Sequence, residues 1–353
     1  MPVATTFRTG TPGPTSTTLS DQSNYAAVIL AGGDGVRLSS FTRKVFGHHL
    51  PKQFCPLFAG ETLLEWTMRR VSLLIPPERT ITVLNRAHER FYRPILGTIP
   101  ASQLLVEPEN RGTAAAVLCA LRRLIAQAHS GPVAIFPSDH YVNDDSSFMR
   151  QIADAFRAVE LAPQLTVLLG ITPDGPEAEY GWIEPGTLVA PSHPVLGQIR
   201  QIRRFKEKPS LEVARELFAA KWLWNSAILV GNVATLLSLI ESALPETYRK
   251  FTWVESFLDG ASEEEVLQTI FRDLPSVDFS LKVLSEFPAE FSVMPITGVM
   301  WSDLGDPRRL LAAISSGGSR LPIETRIFKG RKSLAVPGLQ QRIGKYKGSP
   351  DRR

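Results

Sequence analysis

The chain has 353 residues, of which 43% are hydrophobic and 21% charged, and its mean hydropathy is close to zero. This composition is typical of a soluble globular protein with one large domain, or with one large and one small domain. No apolar run approaches the roughly 18 residues that a membrane-spanning helix needs. The two cysteines, Cys55 and Cys119, are too few for a disulfide scaffold and lack metal-ligand spacing. We therefore expect a cytoplasmic protein without a membrane partner.

The formal net charge of +4 is unevenly distributed along the chain. Residues 320–353 contain ten Lys and Arg against two acids, a net charge of +8, so residues 1–319 carry −4. We expect 320–353 to be a basic, disordered tail. Nucleic acid is not expected as a partner, because no aromatic interleaving or fold motif accompanies the basic residues. Residues 1–24 are rich in Thr, Ser, Pro and Gly without an apolar signal segment, which predicts a disordered leader.

Strand and helix patterns alternate along the rest of the chain. Strands are predicted at 25–31, 80–85, 132–139 and 165–171, and helices at 62–75, 112–128 and 147–159. Helices dominate beyond residue 230, until a short strand near 290–296 and a last amphipathic helix from residue 307. The alternation predicts an α/β fold with a Rossmann-like mixed, mainly parallel sheet flanked by helices. We place the main domain at 25–287 and a small C-terminal α+β extension at 288–319.

A glycine-rich loop follows the first predicted strand. Glycines at this position let backbone N–H groups approach phosphate oxygens, because no side chain blocks them. Arg37 follows the loop at once and Lys52 comes after a proline, so two cations are available to offset phosphate charge. The pattern predicts a site for a nucleoside triphosphate. The loop residues expected to bind the nucleotide are Leu30, Ala31, Gly32, Gly33 and Gly35.

Two common phosphate-binding loops are excluded by what the sequence lacks. A Walker A loop needs Gly-Lys-Ser/Thr after four spacer residues, and nothing after Gly33 supplies it. The dinucleotide fingerprint needs a third Gly or Ala where this chain has Leu38. The string LAGGDGVRL followed by PKQF instead resembles the signature of the sugar-1-phosphate nucleotidylyltransferases, and PKQF is similar to their mannose-1-phosphate guanylyltransferase branch. The spacer 39–50 is longer than the family's loop, which leaves its shape open.

Two aspartates are candidate metal ligands. Asp139 follows a predicted strand in FPSDHYV, where a carboxylate could hold a divalent cation; taken alone, it is more typical of a turn or a helix cap. Asp303 in WSDLGD resembles the aspartate of the family's WxDxG motif, and the resemblance implies that the two acids share Mg²⁺. His140 is not expected as a ligand, because Mg²⁺ avoids imidazole and no second histidine lies at ligand spacing.

The string EPENRGTAAA resembles the family's base-recognition loop. The resemblance implies that Arg111, Gly112 and Thr113 meet the purine, at the positive end of the following helix. Thr113 is by itself a suitable helix cap. Glu107 and Glu109 are expected to be solvated.

Three further motifs occur in family order: YGWIEPG at 180–186, FKEKPS at 205–210 and WNSAILVG at 224–231. The resemblance implies a sugar-phosphate site. Its expected residues are Gly181, Glu207, Lys208 and Asn225. Pro209 should hold Lys208 extended, so that it reaches the sugar phosphate. The chain departs from the family pattern at Lys206, where the family usually has valine, and at Ala227, where it has glycine. The extra methyl group of Ala227 could narrow the sugar pocket.

The resemblance covers residues 25–315 and makes 25–287 a nucleotidyltransferase domain. It implies transfer of a nucleotidyl group from GTP to mannose 1-phosphate, giving GDP-mannose and pyrophosphate, with Arg37 and Lys52 as catalytic cations and Mg²⁺ as cofactor. A sister enzyme with another base or sugar and a non-catalytic sugar-nucleotide sensor stay open as alternatives, whereas a dinucleotide dehydrogenase is disfavoured by Leu38. The sequence does not determine the oligomeric state, and a homodimer is kept as a hypothesis.

Overall fold

The computed structural model describes residues 24–58, 60–258 and 260–316. Within these ranges the strands are β1 (Ala26–Leu30), β2 (Pro56–Phe58), β3 (Glu61–Thr62), β4 (Thr80–Asn85), β5 (Leu104–Glu107), β6 (Pro132–Pro137), β7 (Tyr141–Val142), β8 (Thr166–Ile171), β9 (Trp182–Leu188), β10 (Arg200–Lys206), β11 (Leu223–Asn232), β12 (Ser292–Ile296) and β13 (Trp301–Ser302). The α-helices are α1 (Ser39–Phe46), α2 (Leu63–Val71), α3 (Glu89–Leu96), α4 (Thr113–Ala126), α5 (Asp145–Leu161), α6 (Leu211–Ala219), α7 (Val233–Ala243), α8 (Pro245–Lys250), α9 (Glu263–Arg272) and α10 (Pro307–Ser316).

Nine strands form a central sheet in the order β5-β4-β1-β6-β11-β8-β12-β10-β9. The pairs β4–β5, β1–β4, β1–β6 and β8–β12 are parallel, whereas β11 and β10 run antiparallel to their neighbours. Seven of the nine strands therefore point the same way. The predicted α/β fold with a mixed, mainly parallel sheet is confirmed.

The side chains of each central strand alternate between two hydrophobic cores, one on each face of the sheet. On β1, Ala27 and Ile29 belong to one core, and Ala26 and Val28 belong to the other. This follows from the two-residue period of a strand. Helices α2 and α5 cover the first face and helices α4, α7 and α9 cover the second. Because both faces of β1 are buried, its sequence is a continuous apolar run, which is the pattern that predicted it.

The segment predicted as a C-terminal extension contributes to the central sheet. Strand β12 lies between β8 and β10, in register with β8 from Ser292↔Val167 to Ile296↔Ile171. The proposed boundary between 287 and 288 stays a prediction. The tail 320–353 and the leader up to residue 23 lie outside the described residues. No helix in the described part of the chain is long and apolar enough to cross a membrane.

A separate two-stranded sheet positions the two candidate metal ligands. Strand β7 pairs with β13 through Trp301↔Val142 and Ser302↔Tyr141. Asp139 precedes β7 by two positions and Asp303 follows β13 directly, so this pairing brings together two acids that are far apart in the sequence. The ring of His140 packs edge-to-face against Trp301 of this sheet, with the ring centroids 5.0 Å apart.

A buried arginine fixes the turn between β6 and β7. Arg70 on α2 is 3% exposed, and its Nε donates to Asp145 Oδ1 at 2.5 Å. Its Nη1 also donates to the backbone carbonyl of His140 at 3.3 Å. The turn that carries Asp139 is therefore held by α2 from one side and by β13 from the other.

Candidate active site

The glycine loop is fixed by a residue for which the sequence suggested no role. Gln53 is buried, and its Nε2 donates to the carbonyl oxygens of Ala31 at 2.8 Å and Gly33 at 2.7 Å. Gly35 has φ 60°, and a Cβ there would lie 2.8 Å from the backbone nitrogen of Lys52. Gly33, in contrast, has open space around its Cα. The loop is therefore closed against residues 51–53 at Gly35 and open at Gly33.

A cavity of about 310 Å³ opens beside this loop, beyond the carboxyl ends of β1 and β6. This is the edge at which ligands bind in open α/β sheets. The predicted site residues that line it are Leu30, Gly33, Gly35, Thr113, Asp139 and Asn225. The structure thus brings residues from the predicted loop, acid, base and sugar motifs to one cavity.

Lys52 connects the two candidate metal ligands. Its side chain is 6% exposed, and Nζ lies 2.9 Å from Asp139 Oδ2. The same ammonium group donates to the backbone carbonyl of Asp303. Burying an ammonium group costs free energy unless the group is paired with an opposite charge and hydrogen-bonded. The Asp139 carboxylate supplies the opposite charge, and the Asp303 carbonyl accepts a hydrogen bond. Lys52 therefore lies between Asp139 and Asp303 at the edge of the cavity.

Asp303 is surrounded by positive charge. Arg37 Nη2 lies 3.2 Å from Asp303 Oδ2, and Arg309 Nε lies 3.4 Å from Oδ1. The backbone N–H of Gly305 also donates to Oδ1 at 2.8 Å. A Cβ at Gly305 would lie 2.6 Å from the Asp303 carboxylate and 2.9 Å from the Arg37 guanidinium, so a side chain there would displace these charged groups.

Arg309 was not identified from the sequence. It lies in the first turn of α10, where its Nη1 donates to Glu177 Oε2 at 2.5 Å and its guanidinium stacks 4.6 Å from the ring centre of Tyr180. The string PRRLLAAI predicts an amphipathic helix, and nothing in that local pattern distinguishes Arg309 from its neighbour Arg308. Only the fold separates the half-buried Arg309 from the exposed Arg308.

The surroundings keep both acids ionised. Burial alone would raise the pKa of Asp139, but the charge and hydrogen bond of Lys52 and the nearby His140 lower it below its ordinary value. Burial likewise opposes ionisation of Asp303, and Lys52, Arg309 and His140 together lower its pKa below the ordinary value. Both side chains are therefore carboxylates at neutral pH.

The donor set suits a hard divalent cation. Mg²⁺ takes one or two protein carboxylates and completes its coordination with water and phosphate oxygens. Asp139 and Asp303 supply ionised oxygens of this kind, whereas no cluster of three or more His, Cys, Asp or Glu suited to a metal occurs in the described ranges. His140 lies 3.7 Å from Asp139 through Nε2, and burial lowers its pKa to about 4, so it is a neutral packing partner of Trp301.

The predicted base loop is held against the segment that follows α9. Gly112 has φ 82°, and a Cβ there would lie 2.3 Å from the carbonyl oxygen of Val277, so no side chain fits. The expectation that Thr113 caps the helix is wrong: Gly112 is the N-cap, and Thr113 Oγ1 accepts a hydrogen bond from Phe279 N–H at 2.8 Å. Arg111 donates to Glu109 at 2.7 Å and to the Arg272 carbonyl at 3.1 Å, and it does not line the cavity.

Glu107 is not solvated as expected. It is 3% exposed at the end of β5, and its Oε2 lies 2.9 Å from where a Cβ on Gly32 would be. Its Oε1 has no hydrogen-bond partner among the described residues. Burial raises the pKa of Glu107 to about 8, so the carboxyl group is largely protonated at neutral pH. Glu109 is exposed and paired with Arg111.

The predicted sugar-site residues are neighbours in space. Asn225 N–H donates to the Gly181 carbonyl at 2.8 Å, and a Cβ on Gly181 would lie 2.7 Å from Glu207 Oε2. Lys208 is 55% exposed and its Nζ lies 3.4 Å from Glu207 Oε1. The expectation of an extended backbone at Lys208 is wrong, because φ is 38° there and the backbone N–H bonds to the Tyr180 carbonyl at 3.2 Å.

Replacing Glu107 should change how stability depends on pH. The raised pKa in the folded state means that unfolding releases the proton, so the wild type loses stability as pH rises from about 4.5 to 8. Glu107→Gln removes this dependence and should be more stable than the wild type by a few kcal/mol at pH 8, with no gain below pH 4.5. Urea unfolding between pH 4 and 9, with the exposed Glu109→Gln as control, measures it. A stability difference that is constant across this range would contradict the buried, protonated state.

Comparison with known proteins identifies the family of the chain. The sequence model of the nucleotidyl transferase family matches residues 26–317. The xanthan biosynthesis protein XanB of Xanthomonas campestris is 29% identical over 336 residues, covering 90% of this chain and 67% of that protein. The mannose-1-phosphate guanylyltransferase of Escherichia coli is 28% identical over 294 residues, covering 80% of this chain and 58% of that protein.

A solved structure from Thermus thermophilus, described as a mannose-1-phosphate geranyltransferase, has a TM-score of 0.68 and 33% sequence identity, covering 83% of this chain and 79% of its own. The chain spans between 58% and 67% of the length of the two curated relatives above. These matches confirm the family resemblance drawn from the glycine loop and the motifs that follow it. The chain belongs to the nucleotidyl transferase family.

Proposed function

We propose that this protein transfers the guanylyl group of GTP to mannose 1-phosphate, forming GDP-mannose and pyrophosphate. The observation that carries the proposal is the contact of Lys52 with both Asp139 and Asp303 beside a cavity that the glycine loop opens into. The choice of guanine and mannose is supported by the relatives named mannose-1-phosphate guanylyltransferase. The two free, buried cysteines are compatible with a cytoplasmic location.

The reaction needs positioning and charge neutralisation more than covalent chemistry. A phosphate oxygen of mannose 1-phosphate attacks the α-phosphorus of GTP, the bond from that phosphorus to the β-phosphate oxygen breaks, and pyrophosphate leaves with the electron pair. No protein nucleophile is required. The chain's contribution is to hold the two substrates in line and to offset the negative charge that moves to the leaving group.

The nucleotide would lie along the glycine loop. Gln53 fixes the carbonyl groups of Ala31 and Gly33, so the loop is set before a ligand arrives. Leu30, Gly33 and Gly35 line the cavity, and Thr113 lines it at the start of α4. Arg111 and Gly112 are proposed as part of the base site through their backbone, since the Arg111 side chain is held by Glu109 and Arg272.

Arg37 and Lys52 are the proposed catalytic cations. Arg37 is half exposed and pairs with the buried Asp303 and the exposed Glu179. Its guanidinium can exchange the exposed pair with Glu179 for phosphate oxygens at little cost. Lys52 is buried against Asp139 and offers a fixed positive charge. Both would offset the charge of the departing pyrophosphate.

Asp139 and Asp303 are the proposed ligands of Mg²⁺. The cation would place positive charge at the reacting phosphates and help to orient them. The lowered pKa of both acids keeps them deprotonated, as metal binding requires.

The sugar phosphate would bind beside Gly181, Glu207, Lys208 and Asn225. The missing side chain of Gly181 leaves room for Glu207, whose carboxylate suits sugar hydroxyls. The Asn225 side-chain oxygen accepts a hydrogen bond from Ala227 N–H at 2.9 Å, which leaves its amide nitrogen to donate to a ligand. Lys208 is exposed and is proposed to hold the attacking phosphate.

Pyrophosphate release tests the activity. The full chain should release pyrophosphate from GTP only when mannose 1-phosphate and Mg²⁺ are present, and more slowly across a grid of other nucleoside triphosphates and hexose 1-phosphates. Faster turnover with another base or sugar would identify a sister enzyme. Binding of sugar nucleotide without pyrophosphate release from any pair would identify a sensor and refute the proposal.

Removing either proposed metal ligand should abolish most of the turnover. Asp139→Asn and Asp303→Asn each remove a charge from the site of Mg²⁺, a contribution of several kcal/mol to transition-state stabilisation, so we expect rates lower by orders of magnitude. Asp154→Asn, which breaks an exposed ion pair with Arg157 on α5, is the control and should keep the wild-type rate. Near-normal rates at saturating Mg²⁺ in either test variant would refute the metal assignment.

Replacing the cationic residues should have two different kinetic effects, one for those that act on the nucleotide and one for the residue that binds the sugar phosphate. Arg37→Ala and Lys52→Ala should lower kcat more than they weaken sugar-phosphate binding, because their charge acts on the leaving pyrophosphate. Lys208→Ala should chiefly raise the KM for mannose 1-phosphate. Arg37→Lys should not restore full activity, since lysine lacks the planar fork. Steady-state kinetics with each substrate varied separately measure this; a Lys208→Ala effect confined to the KM for GTP would contradict it.

A further inference from the structure

Backbone strain among the described residues is concentrated at the candidate site. Five non-glycine residues have positive φ: Ala128, Lys208, Lys221, Ala227 and Leu304. Ala128 and Lys221 each lie two positions beyond the end of a helix, α4 and α6, where left-handed backbone is common. The other three belong to the sugar motifs or follow Asp303. Such outliers persist only where the surrounding structure enforces them, and they cluster at functional sites.

The left-handed backbone at Ala227 is enforced by a β-bulge. Strand β11 changes register against β8 between Asn225 and Leu229. Two side chains bond to the N–H groups within this bulge: Asn225 Oδ1 accepts from Ala227 at 2.9 Å, and Ser226 Oγ accepts from Ile228 at 3.1 Å. Ser226 is fully buried, and its hydroxyl donates to the Leu169 carbonyl at 2.6 Å. Ala227 therefore cannot relax its φ of 56° without breaking these bonds.

Glycine would occupy this position at lower cost, because left-handed backbone brings a Cβ close to the following carbonyl oxygen. Ala227 is exposed, so its methyl group gains no burial within the protein that would compensate. It lines the cavity together with Asn225 and Leu229, which alternate with it along β11. The methyl group is thus a strained addition to the wall of the binding cavity.

The geometry points to Ala227 as a residue that determines sugar specificity. Its methyl group narrows the cavity beside Asn225, whose backbone N–H donates to the Gly181 carbonyl. The methyl group therefore excludes hexose 1-phosphates whose ring substituents need the space that a glycine would leave. The inference rests on the proposed function, because it assumes that a hexose 1-phosphate binds next to Asn225. A single methyl group in a pocket changes the relative rates of two substrates by about 10-fold or more.

The chain provides a matched control. Ala128 is also exposed, has φ 59°, and lies at the end of α4 away from the cavity lining. Ala227→Gly and Ala128→Gly therefore each remove one methyl group from a residue with nearly the same positive φ, and both add the same chain entropy to the unfolded state. The two variants should shift Tm by the same small amount, and only one of them alters the cavity.

The experiment measures kcat/KM for mannose 1-phosphate and for its C2 epimer glucose 1-phosphate, with GTP saturating, in the wild type and both variants. Ala227→Gly should lower the preference for mannose 1-phosphate about tenfold, and Ala128→Gly should leave the preference at its wild-type value. Tm is measured for all three proteins by thermal unfolding.

Each other outcome overturns the inference. Equal preference in all three proteins would show that the methyl group does not meet the sugar. An effect of Ala227→Gly on the KM for GTP alone would place the methyl group at the nucleotide. A fall in Tm for Ala227→Gly but not for Ala128→Gly would show that the methyl group packs within the protein. Failure of the wild type to release pyrophosphate with any hexose 1-phosphate would refute the proposed function itself, and the inference with it.

Discussion

The site depends on the burial of one ammonium group. Lys52 is nearly inaccessible to solvent, and a lone charge there would be strongly unfavourable. The charge is compensated by the Asp139 carboxylate and by the carbonyl oxygen of Asp303, residues that are distant along the chain. Because each partner is needed by the others, the glycine loop, the turn after β6 and the segment after β13 are held in one arrangement.

The main sheet alone does not produce that arrangement. The parallel half of the sheet brings the ends of β1 and β6 side by side, as expected for an α/β fold. Asp303 is positioned near Asp139 by the small β7–β13 sheet. Arg70 and the His140–Trp301 contact support this sheet from two sides. The antiparallel β11, inserted between β6 and β8, then supplies the part of the cavity wall that carries Asn225 and Ala227.

The two sides of the cavity are built differently. The glycine loop is held by uncharged hydrogen bonds from Gln53 and by glycines at positions where a Cβ would clash. On the sugar side, the left-handed backbone at Lys208 is held by a hydrogen bond to the Tyr180 carbonyl, and that at Ala227 by a hydrogen bond to the Asn225 side chain. Strain of this kind is retained where the surrounding structure over-determines it, and it aims a side chain at a fixed place.

The sequence by itself determined the alternation of strands and helices in the first half of the chain and the family, because these depend on local patterns: buried apolar runs, glycines after a strand and cations close behind them. Tertiary structure decided what depends on contacts across the chain. Glu107 lies among polar residues in sequence but is buried beneath Gly32, and Thr113 bonds to Phe279, 166 residues away, instead of capping its helix. Arg309 became part of the site only through Glu177 and Asp303, since burial and pairing at such distances are set by the packing of the whole sheet and leave no local signal.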